Sequence, residues 1–281
     1  MQWPAEKNGR VIKKNMTYQT NGDALSLCLL ASGSRGNATY ISWGETSLLF
    51  DAGLSGIEIQ RRLAVRGIDP GSIDAIVISH EHSDHIQGAG ILSRRFEIPI
   101  YISSETHNAA GKRLGRLHGQ THFTPGSDFK VKELDIHPFS IPHDAADPAG
   151  FTVSVNGIKV GLATDLGIAT AMVKERLKDC AALVLEANHD PALLMDGPYP
   201  WQTKQRIKSR TGHLSNMDTK NLLCEIKHST LTHVALAHLS ETNNTPQKAL
   251  KEARDALSDV NVALTAACQS DCGEMLKIMP C

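Results

Sequence analysis

A short apolar run, residues 75–78, ends directly in seven residues that read Ser-His-Glu-His-Ser-Asp-His (79–85). That juxtaposition points to an α/β protein, in which ligands bind outside the carboxyl ends of the strands. His80 and His82 are two residues apart, so in extended chain they project to the same side. Asp84 and His85 fall where the chain turns into a following helix, and neighbours there face different targets. Three imidazoles and a carboxylate so placed can supply halves of two adjacent metal sites. His with carboxylate is a ligand set for Zn2+, Mn2+ or Fe. The bland alternative is a solvated, titrating loop, and the density of the cluster argues against it.

The rest of the chain repeats the pattern of strand and helix. Residues 25–31, 38–42 and 47–50 read as β-strands separated by Gly and Asn turns. Helical periodicity marks 57–65, 86–96 and 105–117, with strands at 75–78 and 100–102. A loose alternation covers 134–141. In the second half, 151–155 and 159–163 flank Asn156-Gly157, a strong two-residue hairpin signal. Helices are then expected over 169–177, 218–227 and 247–257, with strands at 182–185 and 234–237 and a final buried strand at 260–264. Both halves run from hairpin-linked strands into alternating helix and strand. Two mixed sheets packed face to face with helices outside, an α/β sandwich of four layers (αββα), satisfy that order. Residues 1–22 read as a polar, mildly basic extension, and 23–281 as one domain.

Composition excludes several classes. The 281 residues carry 29 basic and 30 acidic side chains, a formal charge of −1. That excludes a globally basic nucleic-acid coat, though not a local basic patch. No stretch is apolar enough to span a bilayer, and the N-terminus lacks the apolar core of a secretory signal. Cys28, Cys180 and Cys224 lie in apolar or helical-looking segments, where buried reduced thiols are expected. Cys268 and Cys272 form a lone CxxxC, with Cys281 beyond it, and unconnected thiols are the favoured reading. A cytoplasmic protein fits these features.

The 13 histidines are many for a chain of this length, and their order carries more than their number. His80-x-His82-x-Asp84-His85, then His143, Asp165 in Leu-Ala-Thr-Asp-Leu, and His238 in Leu-Ala-His-Leu-Ser resemble the metallo-β-lactamase superfamily. The resemblance implies that His80, His82 and His143 hold one metal and that Asp84, His85 and His238 hold a second, with Asp165 bridging. Two divalent cations, zinc foremost with manganese or iron as alternatives, would acidify a shared water and clamp both oxygens of a displacement. Asp84 is also expected to orient the attacking hydroxide. Taken singly, His143 reads as a loop histidine, Asp165 as a turn residue or helix N-cap and His238 as a strand-end side chain.

Glu186, in Leu-Glu-Ala-Asn, and His213, in Gly-His-Leu-Ser, resemble the paired motifs of the phosphodiesterase branch that includes tRNase Z. There the histidine protonates the leaving oxygen and the glutamate orients it, a role imidazolium suits at neutral pH. Residues 29–41, 50–53, 141–148, 185–194, 197–216 and 238–246 are similar to the YycJ/WalJ-type bacterial hydrolases, regarded as metal-dependent nucleases or phosphodiesterases. Ser79, where many superfamily members have Thr, and the cysteine-bearing tail are departures. The implied function is a dinuclear-metal hydrolase that cuts phosphodiesters, with nucleic acid as partner. Only 22 residues separate His143 from Asp165, too few for the substrate-gripping arm of tRNase Z, and the chain cannot house the insert of β-CASP nucleases. A thioester or lactam hydrolase and a non-enzymatic metal-bound interaction module are the alternatives.

Other features carry less. Lys204, Arg206, Lys208 and Arg210 put four cations in seven residues, suited to phosphates at a cleft rim or to a solvated face. Ser32-Gly-Ser-Arg-Gly-Asn37 forms either an anion-binding nest or a plain glycine turn. Asp51 is positioned to accept a hydrogen bond from a ligand imidazole. His189 and Asp190 lie near the motifs without an assignable role. His107, His118, His122, His137, His228 and His233 read as surface or packing residues.

Overall fold

The computed structural model of the protein describes residues 24–280. The extension over 1–22 and Cys281 lie outside the described residues. The chain builds β1 (Leu25–Ala31), β2 (Ala38–Trp43), β3 (Thr46–Phe50), α1 (Gly56–Val65), β4 (Ala75–Val77), α2 (Ser83–Ile86), α3 (Ala89–Phe96), β5 (Ile100–Ser103), α4 (Ser104–Ala110) and β6 (Gln120–Phe123). It continues through β7 (Phe129–Val131), β8 (Leu134–Ser140), β9 (Ala149–Val155), β10 (Ile158–Ala163), α5 (Ala171–Leu177), β11 (Ala182–Glu186), α6 (Pro191–Asp196), α7 (Trp201–Ile207), α8 (Asn216–Ile226), β12 (His233–Ala237), α9 (Pro246–Ala256), β13 (Ala263–Ala266) and β14 (Leu276–Ile278).

These strands form two seven-stranded sheets, in the orders β14-β1-β2-β3-β4-β5-β6 and β13-β12-β11-β10-β9-β8-β7. In each, one flank is antiparallel and the other parallel: the first changes at β3, the second at β10. The expected αββα layering is the architecture observed. Its cause is visible residue by residue. On β1, Leu25, Leu27 and Leu29 enter the core between the sheets, while Cys28 and Leu30 enter the core beneath α1 and α3. On β11, Ala182 and Val184 face the other sheet, and Leu183 and Leu185 face the core beneath α5, α8 and α9. A strand covered on both faces reads as a continuous apolar run rather than an alternation. The Asn156-Gly157 turn joins β9 to β10, and both residues have positive φ, 46° and 80°, which a two-residue turn of this kind requires.

Several boundaries differ from the expectations. The helix over 86–96 is two pieces, α2 and α3, and α2 begins earlier, at Ser83, within the histidine loop. Helix α4 stops at Ala110 rather than near 117. The strand expected at 260–264 runs over 263–266, in register with β12, because partner pairing rather than apolar content sets its limits. It is an edge strand with alternate residues exposed, not a buried one, and it is not last. The chain returns to the first sheet, where β14 pairs antiparallel with β1. Cys224 is exposed rather than buried, whereas Cys28 and Cys180 are buried free thiols.

Candidate metal centre

Six strand ends converge on one cleft of about 190 Å3. Asp51 follows β3, Ser79 to His85 follow β4, His143 follows β8, Asp165 follows β10, Glu186 ends β11 and His238 follows β12. Asp51, Asp165 and His238 all have left-handed backbone, with φ of 59°, 57° and 55°. Non-glycine residues are seldom held there, and the strain persists only where surrounding structure over-determines it. At Asp165 and His238 the turn aims the side chain into the cleft, and at Asp51 it aims the carboxylate at Ser79 and His85 behind it.

The structure brings all seven of the expected ligand residues together. His82 Nδ1 lies 3.1 Å from His80 Nε2 and 3.3 Å from His143 Nε2. Nitrogens bound to one tetrahedral zinc are about 3.3 Å apart, so these three present a ready-made face for one ion. Beside them, His80, His85 and Asp165 form a group with ligand spacing, and Asp165, Glu186, His213 and His238 form another. His85 Nε2 is 3.1 Å from Asp165 Oδ2 and 3.6 Å from Asp84 Oδ2, while His238 Nε2 is 3.8 Å from Asp84 Oδ2. Asp165 Oδ2 and His238 Nε2 are buried with no hydrogen-bond partner. Orphaned buried polar atoms are costly unless something satisfies them, and a divalent cation would satisfy both. The donor set therefore fits the implied metals.

Electrostatics agree. Burial pushes His80 well below the usual imidazole range, and His85 beside it adds to the effect. Burial also lowers His143. Both then offer neutral nitrogens, the form that binds a metal. His85 and His238 behave oppositely. Burial is the largest single influence on each and opposes a proton, yet Asp51 and Asp165 together hold His85 well above its usual range. Asp165, Asp84 and Glu186 raise His238 to about 10. A field that favours a proton at those nitrogens also favours a cation between them. Asp165 stays well below the usual carboxylate range because His238 and His85 outweigh its burial.

The supports are specific. Asp51 accepts from His85 Nδ1 at 2.7 Å and from both the amide and the hydroxyl of Ser79 at 2.8 Å. The Ser79 hydroxyl also lies 3.0 Å from His80 Nδ1, so serine suffices to tie the carboxylate to the loop. The Asn37 amide donates to Asp84 O at 2.8 Å, and its side-chain nitrogen sits 3.1 Å from His85 Nε2. Gly53 is packed so closely that a Cβ there would fall 1.6 Å from Asp84 O. Spacing alone did not single out Asn37 or Gly53; only their place in the glycine turn and in Phe-Asp-Ala-Gly marked the segments.

Glu186 is a hub. Its Oε1 accepts from His213 Nδ1 at 2.9 Å and His238 Nδ1 at 2.8 Å. Its Oε2 accepts from the amides of Leu166 at 2.9 Å and Leu214 at 3.0 Å. Although fully buried, it is held ionised, at about 2, because His213 and His238 outweigh the desolvation. One carboxylate thus orients a histidine at the cleft and a candidate ligand together. Ser215 caps α8 through a reciprocal pair with Asp218, which sharpens the helix start two residues beyond His213.

Other candidates resolve differently. In the turn over 32–37, four of the six amides are engaged within the protein, which favours the plain glycine turn: Gly33 with Asn37 Oδ1, Arg35 with Gln269 Oε1, Gly36 with Gly33 O and Asn37 with Asp84 O. Asp190 caps α6 and pairs with Lys248 at 3.0 Å. His189 is buried beside Ser215, and burial pushes it down to about 4. Among the described residues, neither Cys268 nor Cys272 belongs to a cluster with metal-ligand spacing.

A family model described as a β-lactamase superfamily domain matches residues 46–239. The exodeoxyribonuclease YycJ of Bacillus anthracis is 34 % identical over 237 residues, 84 % of this chain and 90 % of its own. The exodeoxyribonuclease WalJ of Streptococcus pneumoniae serotype 2 is 37 % identical over 220 residues, 77 % of this chain and 82 % of its own. Among solved structures, the metallo-β-lactamase fold protein YhfI of Bacillus subtilis aligns with a TM-score of 0.71 over 91 % of this chain and all of its own. At 17 % identity that likeness is one of fold.

Proposed function

The chain belongs to the β-lactamase superfamily, and from that premise we propose that it is a two-metal phosphodiesterase acting as an exonuclease on DNA. The observation that carries the reading is the Glu186–His213 pair opening onto the histidine–aspartate cluster. A phosphodiester expels an alkoxide, which needs a proton at neutral pH; a thiolate leaving group does not. Glu186 holds His213 by Nδ1, which leaves Nε2 as the nitrogen that gives up a proton to the leaving oxygen.

We assign His80, His82 and His143 to one ion, Asp84, His85 and His238 to the other, and Asp165 to both. Zinc suits the imidazole-rich set, with manganese or iron as alternatives. Ions held there would lower the pKa of a water and offset charge on the phosphate. Asp51 and Ser79 keep His80 and His85 in place from behind, and Asp84 orients the attacking oxygen. The described cysteines are unpaired thiols, which supports a reducing, cytoplasmic setting.

The test is metal analysis of the purified protein, joined to cleavage assays on single- and double-stranded DNA and RNA and an activated phosphodiester. About two ions per chain and cleavage of DNA from an end are expected. A metal-replete protein that cleaves none of these substrates overturns the reading.

A further inference from the structure

Four cations stand between residues 204 and 210, and the structure separates their duties. Lys204 Nζ donates to the Met195 carbonyl oxygen at 2.6 Å, and Lys208 Nζ lies 3.8 Å from Met195 Sδ. Lys208 and Arg210 border a different groove, together with Gly167 and Lys174. Arg206, near the end of α7, is the single lysine or arginine among the described residues that line the metal cleft. Its guanidinium donates to Asp144 Oδ2 at 3.0 Å, yet the side chain remains 61 % exposed. Asp144 Oδ1 lies 3.3 Å from His143 Nε2. A carboxylate therefore stands between the arginine and the histidine cluster.

We propose that Arg206 binds a phosphate of the substrate beside the bond that is cut, and that Asp144 occupies that phosphate's place until substrate arrives. The inference rests on the phosphodiesterase reading and narrows it to substrates with a charged phosphate at that position. Three carboxylates, Asp84, Asp144 and Asp165, line the cleft. His85 and His238 stand beside Asp84 and Asp165; Arg206 answers the charge of Asp144. An anionic substrate entering here displaces Asp144, so the guanidinium keeps an anionic partner throughout and the partly exposed Asp144 carboxylate is released to solvent. Planar, bidentate geometry suits arginine to that exchange. The exposure of Arg206 leaves it room to turn.

The competing account is that Arg206 only neutralises Asp144, and a double-substitution cycle separates the two. Under the proposal, Arg206→Ala raises KM for single-stranded DNA about 10- to 100-fold with little change in kcat. It also flattens the salt dependence of binding by about one phosphate contact. Arg206→Lys recovers part of the loss, and Asp144→Asn lowers KM by releasing the guanidinium. The double variant Arg206→Ala/Asp144→Asn stays as impaired as Arg206→Ala. Recovery of wild-type KM in the double variant overturns the proposal. An oligonucleotide series with one uncharged methylphosphonate at successive positions from the end supplies a readout independent of turnover. Wild type loses affinity at the phosphate that is cut and at one neighbouring position, and Arg206→Ala is insensitive to the substitution at that neighbouring position alone. Equal sensitivity of both proteins at every position overturns the inference. Wild-type protein that cuts no phosphodiester overturns the function beneath it instead, so the two failures are distinguishable.

Discussion

The two sheets are near twins in topology, yet they furnish the cleft in different ways. The first sheet crowds His80, His82, Asp84 and His85 into the single loop after β4. The second sheet contributes one residue from each of several strand ends: His143, Asp165, Glu186 and His238, with His213 from the approach to α8. The crowded half depends on one loop's conformation. The dispersed half depends on the register of four strands and is held together through Glu186. A local perturbation should therefore damage the two halves unequally, and the variants that follow test that, beginning with the residue both halves share.

Asp165→Ala removes the carboxylate placed between the halves and is expected to cost roughly a thousand-fold or more in turnover, with weaker affinity for both ions. Metal content by elemental analysis, together with cleavage rates, checks it. Loss of only one ion would show that Asp165 serves one half and not both.

His213→Ala touches the dispersed half alone. DNA turnover should fall about 100- to 10,000-fold while both ions stay bound. An activated aryl phosphodiester, whose leaving group needs little protonation, should lose much less. Equal losses on both substrates would remove His213 from the acid's role, and an unchanged rate on DNA would favour thioester or lactam chemistry.

Gly53→Ala strikes the crowded half from behind. The new methyl meets Asp84 O at 1.6 Å, so the loop carrying Asp84 and His85 must move. The expected cost is about 3 kcal/mol in stability, with metal content falling from about two ions towards one. Urea unfolding and elemental analysis measure both. Retention of two tightly bound ions would show the loop to be more compliant than its packing implies.

His189 offers a smaller, pH-dependent contrast within the dispersed half. Burial lowers it from the usual imidazole value to about 4, so between those values the unfolded chain binds the additional proton. Stability from this residue is complete above about pH 6.5 and is lost as pH falls through 4, by up to about 3 kcal/mol. Urea unfolding of metal-free protein from neutral to acid pH, compared with His189→Asn, should reveal that slope only in the parent. Parallel curves would mean that His189 is not buried as a neutral base.

The same contrast explains what could be read from the sequence. The crowded half is legible because its residues are neighbours in the chain and one apolar strand introduces them. The dispersed half carries no spacing rule: Asp165 and His238 are ordinary strand-end residues until the parallel register of β10, β11 and β12 sets them side by side. Family likeness pointed to them, but their shared dependence on Glu186 emerged from the hydrogen bonds. Strands β1 and β11 announce themselves because burial on both faces demands continuous apolar sequence, and β9 and β10 because they flank the Asn156-Gly157 turn. β6 and β7 did not, since they are short, and β6 is exposed over three of its four residues. Helices α6 and α7 were missed because Pro, Gly and Tyr at 197–200 interrupt any apolar period. Asp144 and Arg206 are 62 residues apart, and nothing but the fold relates them.

The return of β14 to the first sheet has a consequence for how the protein is made. β1 is among the earliest strands to be synthesised, but its outer edge is covered by residues 276–278. Arg62, buried under the same flank, donates to the Leu30 carbonyl and to those of Gln269 and Ser270. A nascent chain therefore carries an open β1 edge, with its unpaired amides and carbonyls, while the whole second sheet is still being produced. Open edges of this kind invite pairing with other chains. The sheet that is encoded first is the one that is closed last.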